Sequence, residues 1–217
     1  MNTLMTGLLF SVLLILTLRL QELVDGCTCL PVHPQVTFCN SDIVIRALVT
    51  RKRLISSNKV EPGTIQYAVK QEKMYKGFEM KKMVEYVYTA SSSAACGVEL
   101  ETNIQYLITG QFGIHGIIHI GICNWIVPWD ELTSLQKWNL KWNKYETGCS
   151  CQIVSCHGLP CSTPTKAQCV WTDLVFEKTP AGSQAKNSAC TKHDDGSCHW
   201  SGEGSASVNE NIYYGEP

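Results

Sequence analysis

The residues best placed to do chemistry are Cys27-Thr28-Cys29-Leu30-Pro31. A signal-peptidase cut after Gly26 would make Cys27 the N-terminus, with a free amine beside its own carbonyl. Those two groups can close a five-membered ring on a metal ion, so a rigidly held N-terminal Cys is a bidentate zinc chelator. Such a group can block a zinc enzyme without performing any reaction itself. The same pentapeptide also fits a secreted, disulfide-rich module that merely begins with Cys.

Several features bear on the compartment. The 217 residues include 12 Cys, an even and high count that favours an oxidising, extracellular setting. Residues 1–26 read as a secretory signal: the apolar run from Leu8 to Leu18 is too short to span a bilayer, and Val24 and Gly26 suit the positions before cleavage. No Lys or Arg precedes that run, and Arg19, Glu22 and Asp25 make the cleavage region more polar than usual. The chain has 18 basic and 19 acidic residues, and losing the leader leaves it formally neutral, which speaks against nucleic acid as a partner. No membrane span is expected in the mature chain. Arg51-Lys52-Arg53 with Lys70, Lys73, Lys76, Lys81 and Lys82 could form a patch for sulfated matrix polymers, but scattered lysines ordinarily just solvate a surface. There is no Asn-x-Ser/Thr sequon.

The elements that must position the pentapeptide fall into two parts. Cys27, Cys29, Cys39, Cys96, Cys123 and Cys149 are widely spaced, whereas Cys151, Cys156, Cys161, Cys169, Cys190 and Cys198 crowd together. The first part has room for a hydrophobic core, and the second is too small to hold itself without staples. A boundary is expected at Gly148-Cys149-Ser150-Cys151, giving domains at 27–149 and 150–200, then a flexible, mildly acidic tail over 201–217. Runs at Ile43–Val49, Thr64–Val69, Val84–Tyr88, Tyr106–Thr109 and Gly116–Ile120 read as strands. Five short strands with turns between them fit a mainly β fold: a small closed barrel of the oligonucleotide/oligosaccharide-binding (OB) type with flanking helices, joined to a small disulfide-rich β subdomain. One helix is expected to open at Trp129-Asp130-Glu131, with a Thr133/Gln136 capping box and Leu132, Leu135 and Trp138 on one face. A shorter helical turn after Pro34 would end near Cys39.

Other constellations carry less. His115 and His119 have the spacing of a zinc-protease helix but lack its Glu, and the glycines at 113, 116 and 121 oppose a helix, so a barrel strand with two surface histidines is the expectation. Cys149, Cys151, Cys156 and Cys161 form no C-x-x-C knuckle, and disulfides explain them better than a metal does. No nucleophile-elbow motif is present, and oxidised cysteines supply no thiolate, so nothing points to an enzyme. Ser91–Gly97 is an ordinary small-residue loop ending in a staple, unless Cys96 pairs with Cys27 and Cys123 with Cys29. In that case the N-terminal strand is clamped at alternate residues.

Taken together, Cys27–Gln35 and Phe38–Ala47 resemble the start of mature tissue inhibitors of metalloproteinases. The likeness continues through Lys73–Phe78, Tyr106–Gly110, Pro128-Trp129, Cys169–Asp173 and Asp195–Trp200, and all twelve cysteines have counterparts. The resemblance implies the pairs Cys27 to Cys96, Cys29 to Cys123, Cys39 to Cys149, Cys151 to Cys198, Cys156 to Cys161 and Cys169 to Cys190; spacing alone allows thousands of connectivities. It implies no cofactor of the chain's own, but contact of Cys27 with the catalytic zinc of a matrix metalloproteinase. On that basis Thr28 enters the primed-side specificity pocket, Cys29, Leu30 and Pro31 run along the substrate groove, and Ser93, Ala94 and Ala95 fill the non-primed side. Ser93-Ala94-Ala95 lacks the acid seen in some members and looks closer to the second vertebrate branch. The weakly acidic tail leaves binding to a progelatinase haemopexin-like domain open. A netrin-like matrix- or receptor-binding module on the same barrel is the alternative, and a free Cys27 terminus discriminates the two.

Overall fold

The structure is a computed structural model and describes residues 26–55, 63–161 and 164–202. Of the expected leader over 1–26, residues 1–25 lie outside the described residues, as do residues 203–217 of the expected tail over 201–217. Helix α1 spans Pro34–Asn40. After it come strands β1 (Ile43–Ile55), β2 (Thr64–Lys76), β3 (Tyr86–Ala90), β4 (Gln105–Phe112), β5 (Ile118–His119) and β6 (Ile126–Pro128). Helices α2 (Ser134–Lys141) and α3 (Lys144–Thr147) lead to β7 (Gln152–Ser155), β8 (Gln168–Trp171), α4 (Asp173–Phe176), α5 (Ser183–Asn187), β9 (Ser188–Lys192) and β10 (Cys198–Gly202).

The first six strands form one sheet in the order β1-β2-β3-β5-β4-β6, and β1 also pairs with β4. That extra pairing closes β1, β2, β3, β5 and β4 into a five-stranded, barrel-like ring, in line with the mainly β expectation. Strand β1 explains why its sequence reads as an almost unbroken apolar run. Ile43, Ile45, Ala47 and Val49 point into the ring with Ile65, Tyr67, Val69, Val87 and Ile108, while Val44 points the other way. On that outer side Val44 and Leu107 pack with Phe38, Leu132, Leu140, Tyr145 and Ala189. Both faces of the first half of β1 are therefore covered.

Beyond Val49, β1 is exposed, and it is held by antiparallel pairing with β2 from Arg51↔Ala68 to Ile55↔Thr64. Periodicity marks only buried stretches, so the expected strands 43–49 and 64–69 stop short of the observed ends. The expected strand over Val84–Tyr88 begins two residues later, because Val84 gives its N–H to the Gln71 side chain.

Two expectations are corrected. Gly116–Ile120 is not one strand: Ile114–Gly116 forms a 3₁₀ turn with His115 at φ 62°, and only Ile118–His119 pairs. Both histidines are exposed, and no continuous strand aligns them. The helix expected to open at Trp129 is split into a 3₁₀ turn over Trp129–Glu131, an extended Leu132, and α2 beginning after Thr133. The capping box is present: Gln136 N–H donates to Thr133 Oγ1 at 3.1 Å, and Thr133 N–H donates to Gln136 Oε1 at 3.0 Å. The buried face of α2 is Gln136, Asn139 and Leu140, while Trp138 is half-exposed. Gln136 faces inward because its amide reaches a backbone carbonyl of α5, while Leu140 joins the apolar cluster outside the ring.

The C-terminal part holds two two-stranded sheets, parallel β7/β8 and antiparallel β9/β10, and two short helices. It bonds directly to the first part. The Gln35 side chain donates to Cys190 O at 2.7 Å and accepts from Cys190 N–H at 2.8 Å, as a neighbouring strand would. Six disulfides join Cys27–Cys96, Cys29–Cys123, Cys39–Cys149, Cys151–Cys198, Cys156–Cys161 and Cys169–Cys190, the same pairs the resemblance implies. Among the described residues no helix is long and apolar enough to cross a membrane.

Candidate functional site

Residues 26–33 form no helix or strand, and their sequence explains why. Two disulfides, at Cys27 and Cys29, and Pro31 fix the stretch as an extended ribbon, since proline removes a donor and locks φ. Thr28, Cys29, Leu30, Pro31 and Val32 are exposed, and Leu30 is 87% exposed, with no hydrophobic neighbour to cover it. A large aliphatic side chain held in water on a pinned ribbon is a contact surface rather than a failed core residue. The ribbon then dives. His33 is completely buried and caps α1, its Nδ1 accepting the Gln35 N–H at 3.2 Å, with Pro34 as the first helical residue.

Cys27 is tied to Cys96, which closes the 3₁₀ turn Ser93–Ala95. Ser92 organises that turn: its Oγ accepts from Ala94 N–H at 3.2 Å, and its carbonyl accepts from Ala95 and Gly97 N–H. Cys96 takes a left-handed φ of 63°, and a Cβ on Gly97 would run into the Ala90 and Ser92 carbonyl oxygens, so only glycine fits there. Cys29 is tied to Cys123 in the loop after β5. This loop is closed by Gly121 N–H on Asn124 Oδ1 at 2.8 Å and joined to the first by Ile122 N–H on Cys96 O at 3.0 Å. One ribbon and two loops thus form a single ridge. It presents Thr28, Leu30 and Pro31 in front and the exposed Ser93, Ala94 and Ala95 beside them.

The sulfurs of Cys27, Cys29 and Cys123 lie within 4.8 Å of one another. They are all in disulfides, and among the described residues no cysteine is free, so the trio has no thiolate with which to ligate a metal. Residues 26–32 contain no ionisable side chain. Any charge or strong metal ligand on the ribbon must therefore come from the backbone. In the uncut chain the Cys27 nitrogen is a peptide amide; cleavage after Gly26 turns it into an amine.

Three of the basic residues singled out in the sequence have partners within the chain. Lys52 pairs with Glu99 at 2.6 Å, Lys76 caps the end of α1 through Phe38 and Cys39 carbonyls, and Lys73 lies over the Tyr75 ring. The role of His33 was not anticipated from the sequence. Its Nε2 lies 3.2 Å from Gln184 O, and its ring stands between Trp171 and Trp200. Burial lowers its pKa to about 4. The readable signal was a His immediately before a helix-opening Pro.

The chain from 25 to 200 matches the family model described as tissue inhibitor of metalloproteinase. It is 43% identical over 196 residues to metalloproteinase inhibitor 3 of Scyliorhinus torazame, covering 90% of each chain. It is 46% identical over 193 residues to metalloproteinase inhibitor 2 of Homo sapiens, covering 86% of each. Metalloproteinase inhibitor 4 of Mus musculus is 42% identical over 181 residues, covering 81% of this chain and 80% of that one. Matched by the family model over residues 25–200 and by relatives 42 to 46% identical over most of both chains, the chain belongs to the tissue inhibitor of metalloproteinase family.

Proposed function

We propose that the chain is secreted, that its mature form begins at Cys27, and that it inhibits matrix metalloproteinases by placing that residue on the catalytic zinc. The observation that carries the reading is the exposed ribbon clamped at Cys27 and Cys29, with nothing ionisable on it. The freed amine and the Cys27 carbonyl chelate the metal of the target and displace the water that hydrolysis needs. The Thr28 side chain, between two clamped residues, enters the primed-side pocket. Leu30 and Pro31 extend along the groove, and Ser93, Ala94 and Ala95 cover the non-primed side.

No scissile peptide bond spans the zinc in this arrangement, so the ribbon occupies the active site without being cut. Pinning before binding limits the chain entropy lost on docking, which is why a short contact can bind tightly. On this reading residues 27–149 are the inhibitory unit, and 150–200 buttress it.

The test compares two secreted forms against a matrix metalloproteinase catalytic domain. One starts at Cys27 and the other carries a single Ala before it. The extended form folds with the same melting temperature but loses inhibition by at least a hundredfold. Equal potency of the two forms sinks zinc chelation by the terminus and favours the netrin-like binding module instead.

A further inference from the structure

A groove of about 690 Å³ lies between helix α2 and the β9/β10 hairpin, well away in sequence from the ribbon. Its lining includes Leu135 and the half-exposed Trp138 of α2, Lys144 of α3, Lys192 and Asp194 after β9, and Gly202, the last residue of β10. It is an apolar floor with two ammonium groups and one carboxylate at its edges. Lys144 Nζ stands 5.7 Å from the Trp138 ring centroid. Among the described residues no carboxylate lies within ion-pair distance of Lys144 or Lys192.

The chain leaves the described structure at this groove. Gly202 lines it and pairs with Ser188 across the hairpin. Its φ of 128° is outside the range of ordinary side chains, and a Cβ there would strike the Asn187 carbonyl oxygen, so only glycine fits at this end of β10. The remaining C-terminal stretch has the complementary composition. Residues 203–217 contain Glu203, Glu210 and Glu216, no Lys or Arg, and one apolar cluster, Ile212-Tyr213-Tyr214.

We infer that this groove is the docking site of the chain's own C-terminal segment, with Ile212-Tyr213-Tyr214 on Leu135 and Trp138 and the glutamates toward Lys144 and Lys192. The nine residues between Gly202 and Ile212 are ample to leave and return. A short connection also gives the segment an effective concentration in the millimolar range, enough to fill a site that a free peptide occupies only when supplied at high concentration. Aromatic stacking on a half-exposed indole and screened attraction between the charges are the forces that hold it. Docking takes Trp138 out of water and keeps an aromatic, acidic segment from associating with other molecules.

The experiment uses the full mature chain by NMR, with the Trp138 indole signal assigned from a Trp138→Phe variant. Contacts between the Tyr213 or Tyr214 rings and Leu135 methyls are expected, independent of protein concentration over a tenfold range. A Tyr213→Ser/Tyr214→Ser variant, altered outside the described residues, loses them and shifts the Trp138 indole signal. A synthetic peptide of residues 203–217 then binds that variant at least tenfold more tightly than the unaltered chain, whose groove is filled. Random-coil tyrosine signals with an unmoved indole overturn the inference. So does equal peptide binding by both chains, or by neither. Contacts that grow with concentration overturn it too, since they place the segment on a second copy.

Discussion

His33 Nε2 lies 3.2 Å from the carbonyl oxygen of Gln184, 151 positions away, and this bond roots the outgoing end of the exposed ribbon in the C-terminal part. The imidazole gives its Nε2 proton to that carbonyl and uses Nδ1 to cap α1, so the neutral ring satisfies both partners and a second proton has no place.

Stability should therefore depend on pH through this ring. Burial lowers the His33 pKa from 6.5 to about 4. The unfolded chain binds a proton below 6.5 that the folded one refuses, so the contribution of His33 is complete above about pH 6.5. It is lost as the pH falls toward 4, to a total of about 3 kcal/mol. Thermal melts between pH 7.5 and 4 should show this slope. A His33→Asn variant, which keeps the cap, should be less stable at pH 7 but flatter above pH 4.5. An unchanged slope in that variant would assign it to another group.

The Gln35 amide bonds both backbone groups of Cys190 in a buried setting. Gln35→Ala leaves a buried N–H and a buried carbonyl without partners, a loss of about 2 to 4 kcal/mol. Urea unfolding monitored at pH 7 should show a lower midpoint. Inhibition measured well below that midpoint should persist, because the ribbon and its two loops are untouched.

Thr133 holds two bonds at once. Its Oγ1 accepts from Gln136 N–H in the capping box and donates to Lys186 O at 2.6 Å. Thr133→Ala removes the cap and the link from α2 to α5, for about 1 to 2 kcal/mol. Thr133→Ser keeps both and should recover most of the difference in denaturation midpoint. Equal losses in the two variants would assign the effect to the methyl group instead.

The parts of this fold that were legible beforehand were those in which pattern and burial coincide. Ile43–Val49 reads as a strand because both its faces are covered, and the Thr133/Gln136 box reads as a helix start because its two bonds are local. The second half of β1 was hidden, since Arg51–Ile55 is paired but bare and leaves no periodic trace. The inward face of α2 was also misread: Gln136 is buried because its amide reaches Ala185 O at 3.1 Å, a partner 49 residues away that no local window contains. The ribbon's alternate cysteines and its proline made a pinned, extended stretch readable, whereas its attachment through His33 to Gln184 could not be seen without the fold.

The proposed zinc ligand also sets how inhibition should vary with pH. An α-amine titrates at roughly 7.7 to 8, and only its neutral form has a lone pair for the metal. Below that range the zinc must displace a proton, so apparent affinity falls about tenfold for each further pH unit. Between pH 8.5 and 6 the total loss is on the order of fiftyfold. The inhibition constant of the form beginning at Cys27 should be measured across that range, alongside a small thiolate or hydroxamate inhibitor to correct for the enzyme's own titration. The fall should begin near pH 8, more than a unit above the pH of about 6.5 at which His33 begins to destabilise the fold, so the onsets of the two effects separate on one axis. A corrected profile that stays flat from pH 8.5 to 6 would mean that the terminal amine is not the group on the metal.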